Sequence, residues 1–246
     1  MRPDRLARPL AAAIAAAARV HGLTIDPCVE GFTTAAEGLE RQERLSDEID
    51  DGCRLRTLLW QVPQALTVGR SDTHLPTFAA ATQRLAAENW PVVVRRSGGA
   101  ACPVSPGTFQ IALARTAGAD FAIDAAYREF STMIGDALAS IGLVATIGEV
   151  AEAFCPGRFD IQIDGRKLGG VSQHWCERNG HRIVTTAASF VLAEDLPELT
   201  RAVNLFYESA GGAKRCSANA VISLDLALRD FGSKPNVLCH RADKMG

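Results

Sequence analysis

The sequence predicts a mixed α/β (α+β) fold, and three stretches carry that reading. Residues 91–96 (P-V-V-V-R-R) form a compact β-branched run that opens into small residues, the pattern of a buried strand. Residues 120–141 place Phe121, Ala125, Phe130, Ile134, Ala137 and Leu138 at helical intervals and stop at Gly142, a residue suited to the left-handed position after a helix. Residues 159–168 (F-D-I-Q-I-D-G-R-K-L) alternate apolar and polar positions around Asp164-Gly165, a strong signal for a hairpin turn. A hydrophobic share of 47% beside 22% charged residues argues against a disordered or fibrous chain.

The remaining elements follow in order. The chain opens R-P-D-R-L-A-R-P-L-A-A-A-I-A-A-A-A-R-V, where arginines precede a short apolar run in the manner of a secretory signal. Asp4 and Pro9 interrupt that run, and it is alanine rather than leucine, so residues 8–21 are expected to form a helix. Residues 1–38 then read as an Ala-rich helical extension and 39–246 as the main domain. Leu39, Leu45 and Ile49 can share one helical face, which predicts a surface helix ending near Gly52. Residues 56–70 hold two short apolar runs split by Pro63, hence two strand segments, because proline cannot sit inside a central strand. Phe78, Ala81, Leu85 and Ala86 predict a helix over 74–89 that feeds the strand at 91–96. A small-residue loop (97–107) leads to an alternating strand at 108–114. Beyond the hairpin, 181–192 is strand-like, and 196–206 and 220–231 are helical in pattern.

Charge and cysteine content exclude several functions. A net charge of -2 without clustered Lys and Arg gives no footprint for nucleic acid. No run of about 18 strongly apolar residues occurs, so neither a membrane span nor a membrane partner is expected. The seven cysteines (Cys28, Cys53, Cys102, Cys155, Cys176, Cys216 and Cys239) are odd in number and never spaced C-x-x-C, which suggests no disulfide framework and no metal site. A reducing cytoplasm fits that usage. Neither a P-loop nor a dinucleotide-binding glycine pattern is present.

The chemistry concentrates at 154–175. A two-residue turn at Asp164-Gly165 pairs Ile163 with Arg166 and Gln162 with Lys167, so Lys167 joins Gln162 on the polar side, diagonal to Asp160. Taken alone, that arrangement is a solvated sheet face with an exposed ion pair of little energetic value. Gly169-Gly170, just beyond, marks close approach by a ligand or another chain. Cys155 precedes Pro156-Gly157, a turn signal that favours an accessible thiol over a buried one, and a cation such as Lys167 would favour its reactive thiolate form. The loop at 95–102 has glycines able to aim backbone N–H groups at a carbonyl oxygen or phosphate. It also holds a rival nucleophile, Cys102, although Pro103 favours a structural role there.

Three blocks, W-Q-V-P-Q-A-L-T-V-G-R (60–70), R-R-S-G-G-A-A (95–101) and C-P-G-R-F-D-I-Q-I-D-G-R-K-L-G-G-V-S-Q (155–173), resemble in order and spacing the lipoate-protein ligase and octanoyltransferase superfamily. The resemblance covers residues 40–195, and the third block is the specific one. It implies the biotin/lipoate protein ligase catalytic fold, a mixed β-sheet with flanking helices, a tunnel for a medium-chain acyl group or lipoate, and a docking surface for lipoyl domains. It also implies that Lys167 contacts the acyl carbonyl, that Arg96, Ser97, Gly98 and Gly99 wall the acyl site, and that Cys155 is an acyl-accepting thiol. Asp160, Gly169, Gly170 and Gln173 complete the expected substrate-binding set.

Departures choose within the family. ATP-dependent ligases read R-R-x-S-G-G-G-A-V-x-H-D, whereas this chain has Ala100 for the third glycine and Cys102-Pro103-Val104 where His-Asp would come. His174 stands where relatives carry arginine. The expectation is therefore an acyltransferase that needs no cofactor, acting on lipoyl-domain proteins, with an acyl carrier protein or the glycine-cleavage H protein as donor. Two alternatives stand beside it: a divergent ligase using ATP and Mg, and a non-catalytic protein that binds lipoyl domains or acyl chains.

Overall fold

The computed structural model describes residues 4–232. In chain order the elements are α1 (Asp4–Val20), β1 (Val29–Gly31), α2 (Ala35–Arg44), β2 (Leu55–Gln61), β3 (Ala65–Val68), α3 (Phe78–Ala87), β4 (Val92–Val94), β5 (Cys102–Val104), β6 (Thr108–Thr116), α4 (Ile123–Ser140), β7 (Thr146–Ile147), β8 (Ile161–Ile163), β9 (Arg166–Arg178), β10 (His181–Val191), α5 (Leu196–Ala210) and α6 (Leu224–Gly232). Short 3-10 turns lie at Arg70–His74 and Ala218–Ala220. Cys239 lies outside the described residues.

The strands form a seven-stranded sheet in the order β1-β2-β6-β10-β9-β8-β7 and a three-stranded sheet in the order β4-β3-β5. Both are mixed, because β1 runs parallel to β2 and β3 parallel to β4 while the other pairs are antiparallel. Pro63 sits where the chain leaves the large sheet for the small one, so the two segments it separates belong to different sheets. Pro103 lies on β5, an outer strand of the small sheet, the place where a missing backbone donor is tolerated.

Helices cover both sheets. Leu10 and Ile14 of α1 join Ile134 and Leu138 of α4 over Phe109, Ile111 and Phe190 of the large sheet. Residues 4–38 thus share the main core: α1 packs on α4, and β1 is an outer strand of the sheet. A second cluster packs Phe206 and Tyr207 of α5 and Leu85 of α3 against Leu66 and Val68 of β3. Among the described residues no helix is long and apolar enough to cross a membrane.

Three sequence expectations change, the first being that the loop expected over 97–107 contains β5, paired with β3. The helix expected to reach Gly52 ends at Arg44, because the Asp50 carboxylate accepts from the N–H groups of Gly52 and Cys53, both at 2.8 Å, and builds a turn instead. Leu39, Leu45 and Ile49 are nevertheless buried together with Trp60. The helix expected over 220–231 starts only at Leu224, because Val221 bridges to Lys167 and the Ile222 N–H donates to the Lys167 carbonyl at 2.9 Å.

Candidate active site

The hairpin register matches its spacing. Asp164 and Gly165 adopt φ of 50° and 73°, the left-handed turn that Asp-Gly favours, and Gln162 faces Lys167. The register then shifts, so that Ile161 faces Gly169 and Leu168 is the extra residue of a bulge. Lys167 and Asp160 are not on a solvated face: each side chain is 2% exposed, and Nζ lies 2.9 Å from Asp160 Oδ1. The reason is cover from elsewhere in the chain, with the 154–157 loop on one side and Val221 on the other. Burial pushes the Asp160 carboxyl above its ordinary value, with Lys167 opposing that rise.

Lys167 uses its three N–H donors within the protein. Besides Asp160, Nζ donates to the carbonyl oxygens of Phe154 at 3.0 Å and Cys155 at 2.5 Å. Asp160 in turn accepts from the Gly157 N–H at 3.0 Å, so the buried pair clamps the loop on both sides of Cys155. Cys155 is held at a φ of 47°, a left-handed conformation that costs a non-glycine residue about 1–3 kcal/mol and is met most often at functional sites.

The sulfur of Cys155 meets the glycine loop. It accepts from the Ala100 N–H at 3.1 Å and lies 3.7 Å from Arg95 Nη2. Arg95 is buried, and its guanidinium also donates to the carbonyls of Thr67, Gly98 and Ala100 at 3.0, 3.2 and 2.6 Å, fixing the loop around the cation. Gly99 has a φ of 104°, and a Cβ there would stand 2.8 Å from both Cys155 Sγ and Arg95 Nη2. A Cβ on Gly170 would stand 2.9 Å from Lys167 Nζ. These glycines are thus already required by close approach of the protein's own side chains. From behind, Tyr207 of α5 accepts from the Ala101 N–H at 2.8 Å and donates to Asp72 at 3.2 Å, and burial raises its phenol above the ordinary value.

A cavity of about 250 Å³ opens beside this cluster. Ser97, Gly98, Gly99, Cys155, Asp160, Lys167 and Gly170 line it, whereas Arg96, Gly169 and Gln173 do not. Arg96 is turned outward onto Glu43 at 3.0 Å, and Arg95 takes the inward place. Val94 is exposed and Arg95, the residue after it, is buried, an alternation that the run of three valines does not reveal in the sequence. Gly169 lies against the Phe190 ring, and Gln173 ties β9 to the start of α4 by donating to the Ile123 carbonyl at 3.3 Å. Cys102 also lines the cavity, but burial, and next the nearby Cys155, push its thiol up to about 11. A second hollow, of about 500 Å³, reaches Cys155 from the side of Lys214 and Arg215.

A curated octanoyl-[GcvH]:protein N-octanoyltransferase from Macrococcus caseolyticus is 31% identical over 114 residues, covering 46% of this chain and 42% of the relative. A lipoyl-[GcvH]:protein N-lipoyltransferase from Listeria monocytogenes is 28% identical over 159 residues, covering 63% of this chain and 55% of the relative. The matched stretches thus span about half the length of these curated relatives. Among solved structures, an ATP-bound lipoate-protein ligase A superposes with a TM-score of 0.59 at 15% identity, over 84% of this chain and 93% of the other. One from the bipartite lipoate protein ligase system of Thermoplasma acidophilum superposes with a TM-score of 0.53 at 14% identity, over 82% and 78%. At such identities the likeness is one of fold. The sequence pattern of the lipoyl protein ligase A/B catalytic domain matches residues 34–230, and the chain belongs to that family.

Proposed function

We propose that the chain is an acyltransferase that moves an octanoyl or lipoyl group onto a lysine of lipoyl-domain proteins through a thioester on Cys155. The observation that carries this reading is the setting of the Cys155 sulfur, beside a cavity and with a backbone N–H and a buried guanidinium against it. Covalent acyl transfer needs a nucleophile set beside donors that can hold the charge that develops during attack.

In the first half-reaction Cys155 gives up its thiol proton and its sulfur bonds to the acyl carbonyl carbon. The bond from that carbon to the donor's nitrogen or sulfur breaks, and the leaving group departs with a proton. In the second, the acceptor lysine amine attacks the thioester carbon, the C–S bond breaks, and the proton lost by the amine restores the thiol. Arg95, Lys167 and the N–H of Ala100 surround the place where negative charge develops. For Lys167 to reach an acyl carbonyl, it must release one of its three present acceptors.

Two hollows meet at Cys155, one lined by Lys167 and Gly170 and the other by Lys214 and Arg215, and they would give the acyl chain and the incoming amine separate approaches. The names of the relatives favour an octanoyl- or lipoyl-bearing H protein as donor; an acyl carrier protein supplies the same carbonyl as a thioester. Neither route needs ATP. The test is transfer to a purified lipoyl domain without ATP, with wild type, Cys155→Ala and Lys167→Ala compared and lipoyl-domain binding measured in parallel. Transfer lost in Cys155→Ala with binding retained supports the reading. Transfer unchanged in Cys155→Ala, or seen only with Mg-ATP, favours the ligase alternative.

A further inference from the structure

The Ala100 N–H that meets the Cys155 sulfur follows Gly98 and Gly99, residues with wide backbone freedom, so its aim needs an anchor further along the loop. The next peptide supplies one. The Ala100 carbonyl accepts from Arg95 at 2.6 Å, and on the other side of that peptide the Ala101 N–H donates to the Tyr207 hydroxyl at 2.8 Å. Ala101 is fully buried, and its N–H depends on a protein partner. The Ala100–Ala101 peptide is thus gripped at both ends, by a cation on the carbonyl side and by a helix residue on the N–H side.

The direction of each bond in this chain of contacts is forced. A backbone N–H only donates, so Tyr207 accepts from Ala101, and its single phenol proton goes to Asp72, whose oxygens lie at 3.2 and 3.3 Å. Asp72 is 2% exposed and pairs with the Lys214 ammonium at 3.4 Å. By taking the phenol proton, the carboxylate leaves the tyrosine oxygen facing the loop as an acceptor. A tyrosine whose proton is committed in this way has none to give a substrate. The plain alternative is a buried tyrosine that merely satisfies its hydroxyl. What sets Tyr207 apart is its partner, the N–H one residue beyond the one that faces the sulfur.

We propose that Tyr207 is a positioning residue for acyl transfer: oriented by Asp72, it holds the Ala100–Ala101 peptide so that the Ala100 N–H stays aimed at the reacting end of Cys155. This rests on Cys155 being the acylated thiol, and it ties the aim of the glycine loop to helix α5. Tyr207→Phe removes one oxygen and keeps the ring against Phe206, at 5.2 Å between centroids. It leaves the Ala101 N–H buried and unpaired, and the loop must shift to satisfy it.

The test follows acylation of the full chain by the octanoyl thioester of N-acetylcysteamine, read as the intact-mass adduct over time at several thioester concentrations. In Tyr207→Phe the maximal rate is expected to fall about tenfold, through loss of a donor aimed at developing charge. The half-saturating concentration is expected to stay within about twofold, because Tyr207 does not line the cavity of Lys167 and Gly170. Thr200→Val is the control: it removes another buried hydroxyl from α5, one whose bonds at 3.0 Å stay within that helix, and the wild-type rate is expected. Asp72→Asn is expected to slow acylation by less, since an amide can turn its N–H to the tyrosine oxygen and compete with Ala101. Combined with Tyr207→Phe it is expected to add nothing. Circular dichroism checks each fold, and Asp72→Asn decides the matter should Tyr207→Phe not fold. A wild-type maximal rate in Tyr207→Phe, or in Asp72→Asn where only that variant folds, overturns the proposal. So does equal slowing in Thr200→Val, which would trace the loss to a softened helix. Wild-type protein that forms no adduct on Cys155 overturns the thioester reading itself.

Discussion

The ammonium of Lys167 donates to the carbonyl oxygen of Cys155 at 2.5 Å, so the lysine grips the backbone of the cysteine. The cation at the sulfur is Arg95, at 3.7 Å. Two basic residues thus divide the work around one thiol: one holds the loop in its left-handed conformation, and the other sets the field at the sulfur. The predictions below separate these roles.

Removing one member of the buried pair strands the other. Lys167→Met is expected to lower stability by about 3–5 kcal/mol, because it leaves the Asp160 carboxyl buried without its partner. The double variant Asp160→Asn with Lys167→Met is expected to lose less than Lys167→Met alone. Urea unfolding of the four proteins in that cycle checks the ordering.

Arg95→Gln is expected to slow alkylation of Cys155 by iodoacetamide by about tenfold, through loss of the guanidinium that lies against the sulfur and holds the Ala100 carbonyl beside it. Arg95→Lys is expected to retain more of the rate, and Arg96→Gln to leave it unchanged, since Arg96 is turned onto Glu43. Peptide mass mapping of the alkylated protein reads each cysteine separately.

The same mapping tests Cys102. Its thiol is pushed up to about 11, so the thiolate forms only as pH climbs toward that value. From neutrality to about pH 9 Cys102 is expected to stay almost wholly protonated and unlabelled, gaining label only at higher pH.

Gly99→Ala is expected to abolish transfer while the protein still folds. The added methyl would press on Cys155 Sγ and Arg95 Nη2 at 2.8 Å, and the φ of 104° disfavours any side chain. Circular dichroism together with the transfer assay separates loss of fold from loss of function.

Local chemistry explains how much of this is legible in the sequence. The hairpin and its register are, because Asp164-Gly165 fixes the turn and the turn fixes which residues face each other. The α4 helix is, because its apolar positions repeat at helical spacing and Gly142 caps it with a φ of 85°. The end of α2 is not, since a side-chain turn at Asp50 competes with a helix that the apolar pattern equally allows. The burial of Lys167 and Asp160 is also hidden, because the cover comes from Val221, more than fifty residues on, and from a loop whose path depends on the ion pair itself. The inward turn of Arg95 is hidden as well, because three consecutive valines do not say which face of β4 is exposed, and only the exposure of Val94 in the structure settles it.

The most direct test of the central claim is intact-mass spectrometry of the purified protein after incubation with octanoyl donors in the absence of ATP. The account predicts one octanoyl adduct on Cys155 that hydroxylamine removes and that Cys155→Ala never forms. Absence of any adduct with every donor, alongside ATP-dependent modification of a lipoyl domain, would contradict it.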